Sequence, residues 1–203
     1  MITVRKPFTN MRKLNYKYHL ILASNSPRRK ELLAGIDMEF EVRTLPDLDE
    51  SFPDTLPHEE IAEYLARKKA SAYSPALKEG ELVITADTVV LLNGLILGKP
   101  IDKEDAKRML RLLSGHTHRV ITGVCLTSIG KQVGFSDTAH VTFGTLSEDE
   151  IDYYVNAYSP MDKAGAYGVQ EWIGYMGVER IEGSYYNVMG LPIFKVYREL
   201  QRF

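Results

Sequence analysis

Apolar runs and helical periodicities alternate along the chain. Leu20-Ile21-Leu22-Ala23 is a short apolar run that breaks at Ser24-Asn25-Ser26 and is followed by Pro27 through Gly35. Ser26 suits a helix N-cap, Pro27 its first position and Gly35 its end, so the pattern predicts strand, tight polar turn, helix. Residues 57–73 place Ile61, Leu65 and Ala72 along one side, which predicts a second helix opening at Pro57. The apolar run 82–92, Asn93-Gly94 and the run 95–98 form a strong hairpin signal. Asp102 heads a helix to about Leu113, with Ala106, Met109, Leu110 and Leu113 on its apolar side and Gly115 as its stop. Strand-like runs follow at 119–129, 132–136 and 138–145. Ser147 and Glu150 make a capping box for a helix reaching about Ala157. Residues 162–170 read as a glycine-bearing loop, 171–189 as irregular strands, and Pro192 opens a last helix to Gln201. Interleaved strands and helices with at least two antiparallel hairpins predict an α/β fold, a mixed twisted sheet flanked by helices.

Composition narrows the class. The 203 residues are 44% hydrophobic and 26% charged with net charge −2, enough for one sizeable core and without the basic excess of a general nucleic-acid binder. The single cysteine, Cys125, excludes an internal disulfide framework, and its apolar surroundings predict a buried structural thiol. No run reaches the roughly 18 apolar residues of a membrane-spanning helix. Residues 1–19 carry Arg5, Lys6, Arg12, Lys13 and Lys17 without an acid and lack the apolar centre of a secretion signal. They read as a basic extension on a single domain over 20–203, in a cytoplasmic protein.

Candidate chemistry gathers at a few places. The predicted helix at Pro27 begins with Arg28, Arg29 and Lys30, three cations at the end where the helix dipole favours acids. That arrangement suits a bound polyanion, and an ordinary solvated basic turn stands beside it. Asp47, Asp49 and Glu50 lie in an acidic loop, either solvated or able to offer oxygens to a hard divalent cation. Lys69 lies close to the apolar stripe of its helix, and Lys99 ends the hairpin. Asp87 falls inside an apolar strand, where an unpaired carboxylate is costly, so it must be paired, hydrogen-bonded or bound to metal. The His116-Thr117-His118-Arg119 run has no third zinc ligand at a recognisable spacing and is expected to be a surface loop. Cations to clamp phosphates and carboxylates to hold a metal ion and deprotonate water suit phosphoanhydride hydrolysis. The chain lacks a Gly-x-x-x-x-Gly-Lys-Ser/Thr loop, which argues against a P-loop enzyme.

Six segments stand in the order and spacing of the Maf family: Ser24-Asn-Ser-Pro-Arg-Arg29, Ala86-Asp-Thr-Val89, Gly98-Lys-Pro100, Leu113-Ser-Gly-His-Thr-His118, Asp162-Lys-Ala-Gly-Ala-Tyr-Gly-Val-Gln170 and Gly183-Ser-Tyr-Tyr-Asn-Val-Met-Gly-Leu-Pro192. The chain resembles Maf nucleotide pyrophosphatases from about residue 20 to its end. The resemblance implies a two-lobed α/β body with a deep central cleft, related in fold to inosine-triphosphate pyrophosphatases. It implies cleavage of nucleoside triphosphates between the α and β phosphates, a divalent cation (Mg²⁺ or Mn²⁺) and a homodimer. It carries the catalytic acid onto Asp87, the loop glutamate at the metal onto Glu50 (with Asp49 as the alternative), and the two lysines onto Lys69 and Lys99. Ser24, Arg28 and Arg29 then meet the substrate.

Within the family, the branch hydrolysing dTTP and UTP resembles this chain at Arg28, Thr88 and Gln170, whereas the 7-methyl-GTP branch carries other residues there. A side-chain amide at Gln170 also matches the mixed donor and acceptor edge of uracil or thymine. The resemblance implies a nucleotide-pool housecleaning enzyme acting on small molecules, without nucleic acid or membrane. Its rival is a nucleotide-sensing protein tied to inhibition of cell division.

Overall fold

The computed structural model describes residues 16–46 and 48–203. Residues 1–15 of the expected extension and Asp47 of the acidic loop lie outside the described residues. The chain runs β1 (His19–Leu22), α1 (Pro27–Ala34), β2 (Phe40–Val42), α2 (Ile61–Tyr73), β3 (Glu81–Leu92), β4 (Leu95–Leu97), α3 (Lys103–Leu113), β5 (Thr117–Ser128) and β6 (Lys131–Phe143). It continues through α4 (Glu148–Tyr158), α5 (Trp172–Gly177), β7 (Val178–Glu182), α6 (Tyr185–Val188) and α7 (Ile193–Arg202). The strands form one mixed sheet in the order β2-β1-β3-β5-β6-β7, parallel from β2 to β3 and antiparallel beyond, with β4 on the end of β3.

Local chemistry accounts for most element ends. The Ser26 hydroxyl accepts from the Arg29 amide, Asp102 accepts from the Asp105 amide, and Ser147 and Glu150 close the expected capping box. Asn93 and Gly94 turn the β3–β4 hairpin with φ of 48° and 82°, the left-handed pair that a tight turn of this hand requires.

Register decides where the sheet is open. One edge of β3 pairs with β5 from Val83 to Leu91. On its other edge, β1 pairs with residues 81–84 and β4 with residues 90–92. Among the described residues, no strand pairs with 85–89 on that side. Strand alternation sends Leu82, Ile84, Ala86, Val90 and Leu92 into the larger core with residues of α1, α3, α4 and α7, and Val89 and Leu91 toward α2. Asp87 and Thr88 are the two residues of β3 that are not fully buried.

Helix α2 lies almost against the backbone of β5. A methyl group on Gly123 would stand 2.2 Å from the Ala62 carbonyl carbon, so only glycine allows this approach. The Thr85 hydroxyl donates to the Ala66 carbonyl at 2.7 Å and fixes the helix lengthwise. Lys69 follows Ala62 by seven residues, two helical turns, and so faces the sheet.

Four expectations change. The helix expected from residue 57 begins at Ile61, because residues 57–60 form a separate turn closed by Glu60 N–H on the Pro57 carbonyl. The runs 132–136 and 138–145 are one strand, β6, continuous against β5. Residues 171–189 hold two short helices around β7 rather than irregular strands. Of the expected surface loop at His116–Arg119, residues 117–119 are the start of β5, and pleat alternation turns His118 inward to 1% exposure. Cys125 is fully buried as expected, and burial raises its thiol pKa.

His118 packs edge-on to Phe143 and Tyr167, and its Nε2 lies 2.7 Å from the Tyr167 hydroxyl. Its buried Nδ1 has no partner, and burial pushes the imidazole pKa from 6.5 down to about 4. The unfolded chain thus binds the extra proton between these values, so stability falls as pH drops through about 6.5 and the loss is complete below about 4. Urea unfolding of the parent protein and His118→Gln at pH 7.5 and pH 5 checks this: the parent should lose about 2 kcal/mol more than the variant.

Candidate functional site

The open edge of β3 faces a pocket of about 850 Å³. Nine of the residues singled out from the sequence line it: Ser24, Arg28, Arg29, Glu50, Lys69, Asp87, Thr88, Lys99 and Gln170. They come together because β1 lies parallel to β3, so the turn after β1 emerges beside the unpaired stretch of β3, held by Ala23 N–H on the Ile84 carbonyl at 2.9 Å. Lys99 arrives on the segment after β4, and Gln170 on the loop before α5.

Lys69 stands between two carboxylates. Its Nζ lies 2.5 Å from Asp87 Oδ1 and 2.7 Å from Glu50 Oε1, while Lys99 Nζ approaches Glu50 Oε2 at 3.8 Å. Burial works to raise the Glu50 pKa, but Lys69, Lys99 and Arg29 outweigh it and hold the carboxyl below its ordinary value. Asp49 is turned elsewhere: Lys68 Nζ at 2.7 Å and the Ser51 amide at 2.8 Å hold its two oxygens on the surface. Of the two acids left open by the sequence, only Glu50 reaches the pocket.

Arg29 is bound to the protein itself. Its Nε donates to the Gly190 carbonyl at 2.8 Å, one terminal nitrogen to the Ala86 carbonyl at 2.9 Å and the other to Thr88 Oγ1 at 3.1 Å. Burial lowers its pKa, and Asp87 opposes that shift. Because Thr88 accepts from a guanidinium, its own proton points to Thr122 Oγ1 at 3.0 Å, and Thr122 donates on to the Asn187 carbonyl at 3.0 Å. The clip thus holds the residues on both sides of Asp87, Ala86 by its carbonyl and Thr88 by its hydroxyl.

Arg28 Nη1 lies 3.4 Å from Asp162 Oδ2. Asp162 also takes Lys163 Nζ at 2.7 Å, and Lys163, 7% exposed, bonds Glu171 at 3.1 Å. Sequence reasoning missed Asp162 and Lys163 as pocket residues, along with Phe52 and Tyr73. The Asp-Lys pair at the head of the glycine loop was a visible signal; the aromatic residues gave none.

The lining carries five cations (Arg28, Arg29, Lys69, Lys99, Lys163) against three carboxylates (Glu50, Asp87, Asp162), an excess suited to an anionic ligand. Among the described residues no group of three or more His, Cys, Asp or Glu is placed to hold a metal ion. Two carboxylates aimed at one positive centre still fit a hard divalent cation that draws its remaining oxygens from phosphate and water.

Fold and pocket together define an α/β protein with an anion-directed site on an open strand edge. A sequence model of the family described as Maf-like protein matches residues 19–203, and the chain belongs to the Maf family. The protein is similar to proteins named dTTP/UTP pyrophosphatase: 58% identical to that of Phocaeicola vulgatus over 92% of this chain and 96% of the relative. It is 60% identical to that of Bacteroides thetaiotaomicron over the same shares. With that of Flavobacterium psychrophilum it shares 50% identity over 96% of this chain and 95% of the relative. Among solved structures, the Ham1 protein of Staphylococcus aureus superposes with a TM-score of 0.50 at 18% identity, covering 89% of this chain and 99% of that one, a likeness of fold.

Arg29→Lys keeps the charge but cannot make three divergent bonds. Urea unfolding should show a loss of about 2–4 kcal/mol, as buried acceptors are left unpaired.

Proposed function

We propose that this protein hydrolyses dTTP and UTP to the nucleoside monophosphate and pyrophosphate, clearing them or related pyrimidine nucleotides from the nucleotide pool. The observation that carries this is the Glu50–Lys69–Asp87 cluster within a cation-rich pocket, in a chain 50–60% identical to proteins of that name.

The triphosphate lies along the turn at 24–29, where Ser24 and the first turn of α1 meet it, and Arg28, Lys69 and Lys99 balance its charge. Arg29 holds the floor of the pocket and adds positive potential. Asp87 acts as general base: it takes a proton from water as the water oxygen bonds to the α phosphorus, the bond from that phosphorus to the bridging oxygen breaks, and pyrophosphate leaves. Glu50 and Asp87 would hold the divalent cation, Mg²⁺ or Mn²⁺. Bound there, it supplies charge neutralisation at the phosphates and lowers the pKa of water. Gln170 presents its amide to the pyrimidine edge, and Thr88 supports the floor beside Asp87. The catalytic body is the single domain over 20–203, with 1–19 as an extension to it. On the same reading the protein is a cytoplasmic homodimer that works without nucleic acid or a membrane. Among the described residues no helix is long and apolar enough to cross a membrane.

Pyrophosphate release over a panel of nucleotides with Mg²⁺ tests the assignment, with dTTP and UTP expected to lead and a chelator to stop turnover. Equal turnover of dTTP and 7-methyl-GTP would remove the pyrimidine assignment, and no release from any nucleotide would favour a sensor. Asp87→Asn should lower kcat by about 10²–10⁴, and near-normal dTTP turnover by that variant rules out the base. Gln170→Glu should cut kcat/KM for dTTP and UTP by about 10–100-fold with little change in melting temperature.

A further inference from the structure

The loop that carries Gln170 is held by a relay of polar groups centred on Tyr154, Glu171 and Lys163, none of which the reaction itself uses. Tyr154, on α4 and 0% exposed, places its hydroxyl at the centre. That oxygen accepts from the Gly168 amide at 3.0 Å and donates to the Glu171 carboxylate in a short bond. Gly168 and Glu171 flank Gln170 and Val169, and the Glu171 amide closes the turn on the Gly168 carbonyl at 3.0 Å. One hydroxyl thus grips both sides of the residue that faces the pocket. Burial and the bond to Glu171 both raise the Tyr154 pKa, so the phenol keeps the proton it donates.

The relay continues outward. Glu171 bonds Lys163 Nζ at 3.1 Å, Lys163 bonds Asp162 at 2.7 Å, and Asp162 takes Arg28 at 3.4 Å. It therefore joins Gln170 to the arginine at the start of α1. The packing is tight at this point: a methyl group on Gly168 would come within 2.8 Å of the Glu171 carboxyl carbon and would displace the carboxylate from its present position.

Gln170 Oε1 is buried and has no hydrogen-bond partner, although the Gly168 amide, the Glu171 amide, the Tyr154 hydroxyl and the Glu171 carboxylate that hold its turn are each paired. A buried amide oxygen without a donor costs free energy that a ligand donor recovers. The imide N–H of uracil or thymine is such a donor, and the neighbouring carbonyls accept from the same amide's N–H.

We propose that Tyr154, Glu171 and Lys163 are positioning residues for nucleobase selection, fixing the 168–171 turn so that the Gln170 amide meets a pyrimidine imide edge. This rests on the assignment of the pocket to dTTP and UTP. A rigid turn rejects a mismatched base because the unpaired amide cannot swing away to a compromise position. Without the Tyr154 hydroxyl the turn loosens, the imide edge is held less well and the penalty against other bases shrinks.

Steady-state kinetics of Tyr154→Phe with UTP, dTTP and GTP test it. KM for UTP and dTTP should rise about tenfold with kcat changed far less, and the ratio of kcat/KM for UTP over GTP should fall by about tenfold. That ratio is immune to partial unfolding, since both substrates meet the same folded fraction, whereas a purely structural role lowers the melting temperature and leaves the ratio alone. Glu171→Gln keeps an acceptor for Tyr154 but loses the charge facing Lys163; it should move the ratio in the same direction and carries the test should Tyr154→Phe fail to fold. An unchanged ratio in the folded variants overturns the proposal. Gln170→Ala separates the two levels: if it leaves the ratio unchanged, the base assignment itself falls, and if it alone moves the ratio, only the relay does.

Discussion

The site exists because strand β3 is left uncovered over five residues. β1 stops pairing at Ile84 and β4 starts at Val90, while β5 covers the whole opposite edge. A strand edge in a protein interior exposes backbone groups that must find partners. Here Arg29 takes the Ala86 carbonyl, and the remaining space becomes the pocket. Asp87 and Thr88 sit at the middle of that gap, on opposite faces of the strand, so one interruption of the sheet presents both.

The same gap explains why the cluster tolerates its charges. Lys69 is only 12% exposed and Asp87 17%, so desolvation of either alone would be expensive. Each offsets the other, and Glu50, half-exposed on a loop, completes a set in which one ammonium serves two carboxylates. On the proposed function, the phosphate tail would take over the lysine while the acids stay turned toward positive charge. The close approach of α2 at Gly123 places Lys69 in reach, two helical turns further along.

Much of this was legible because it was local. The caps at Ser26, Asp102 and Ser147, the Asn93-Gly94 turn and the alternation along β3 depend on neighbours a few residues away. Nine site residues were named from the sequence, and seven of them lie in motifs that fall at the end of β1, at the open middle of β3, just after β4 and in the glycine loop, so they share one pocket with Glu50 and Lys69. What escaped depended on distant partners. His118 reads as a polar loop residue until Phe143 and Tyr167 close over it. The pairing of Lys163 with Glu171 crosses a loop whose path no periodicity describes, and the short helices of 171–189 form where tertiary packing overrides an aromatic, strand-like composition. Arg29 was expected at phosphate; its three protein acceptors become visible only when β3 and the turn before Leu191 converge.

Cys125 lies under α2, between Ala66 and Ala70, with its thiol fully enclosed. It is the single sulfhydryl in the sequence, so the folded protein offers alkylating reagents nothing to modify at the surface. A cysteine introduced beside the pocket would then be the sole reactive handle, and one fluorophore or spin label could follow nucleotide entry without first stripping the native thiol.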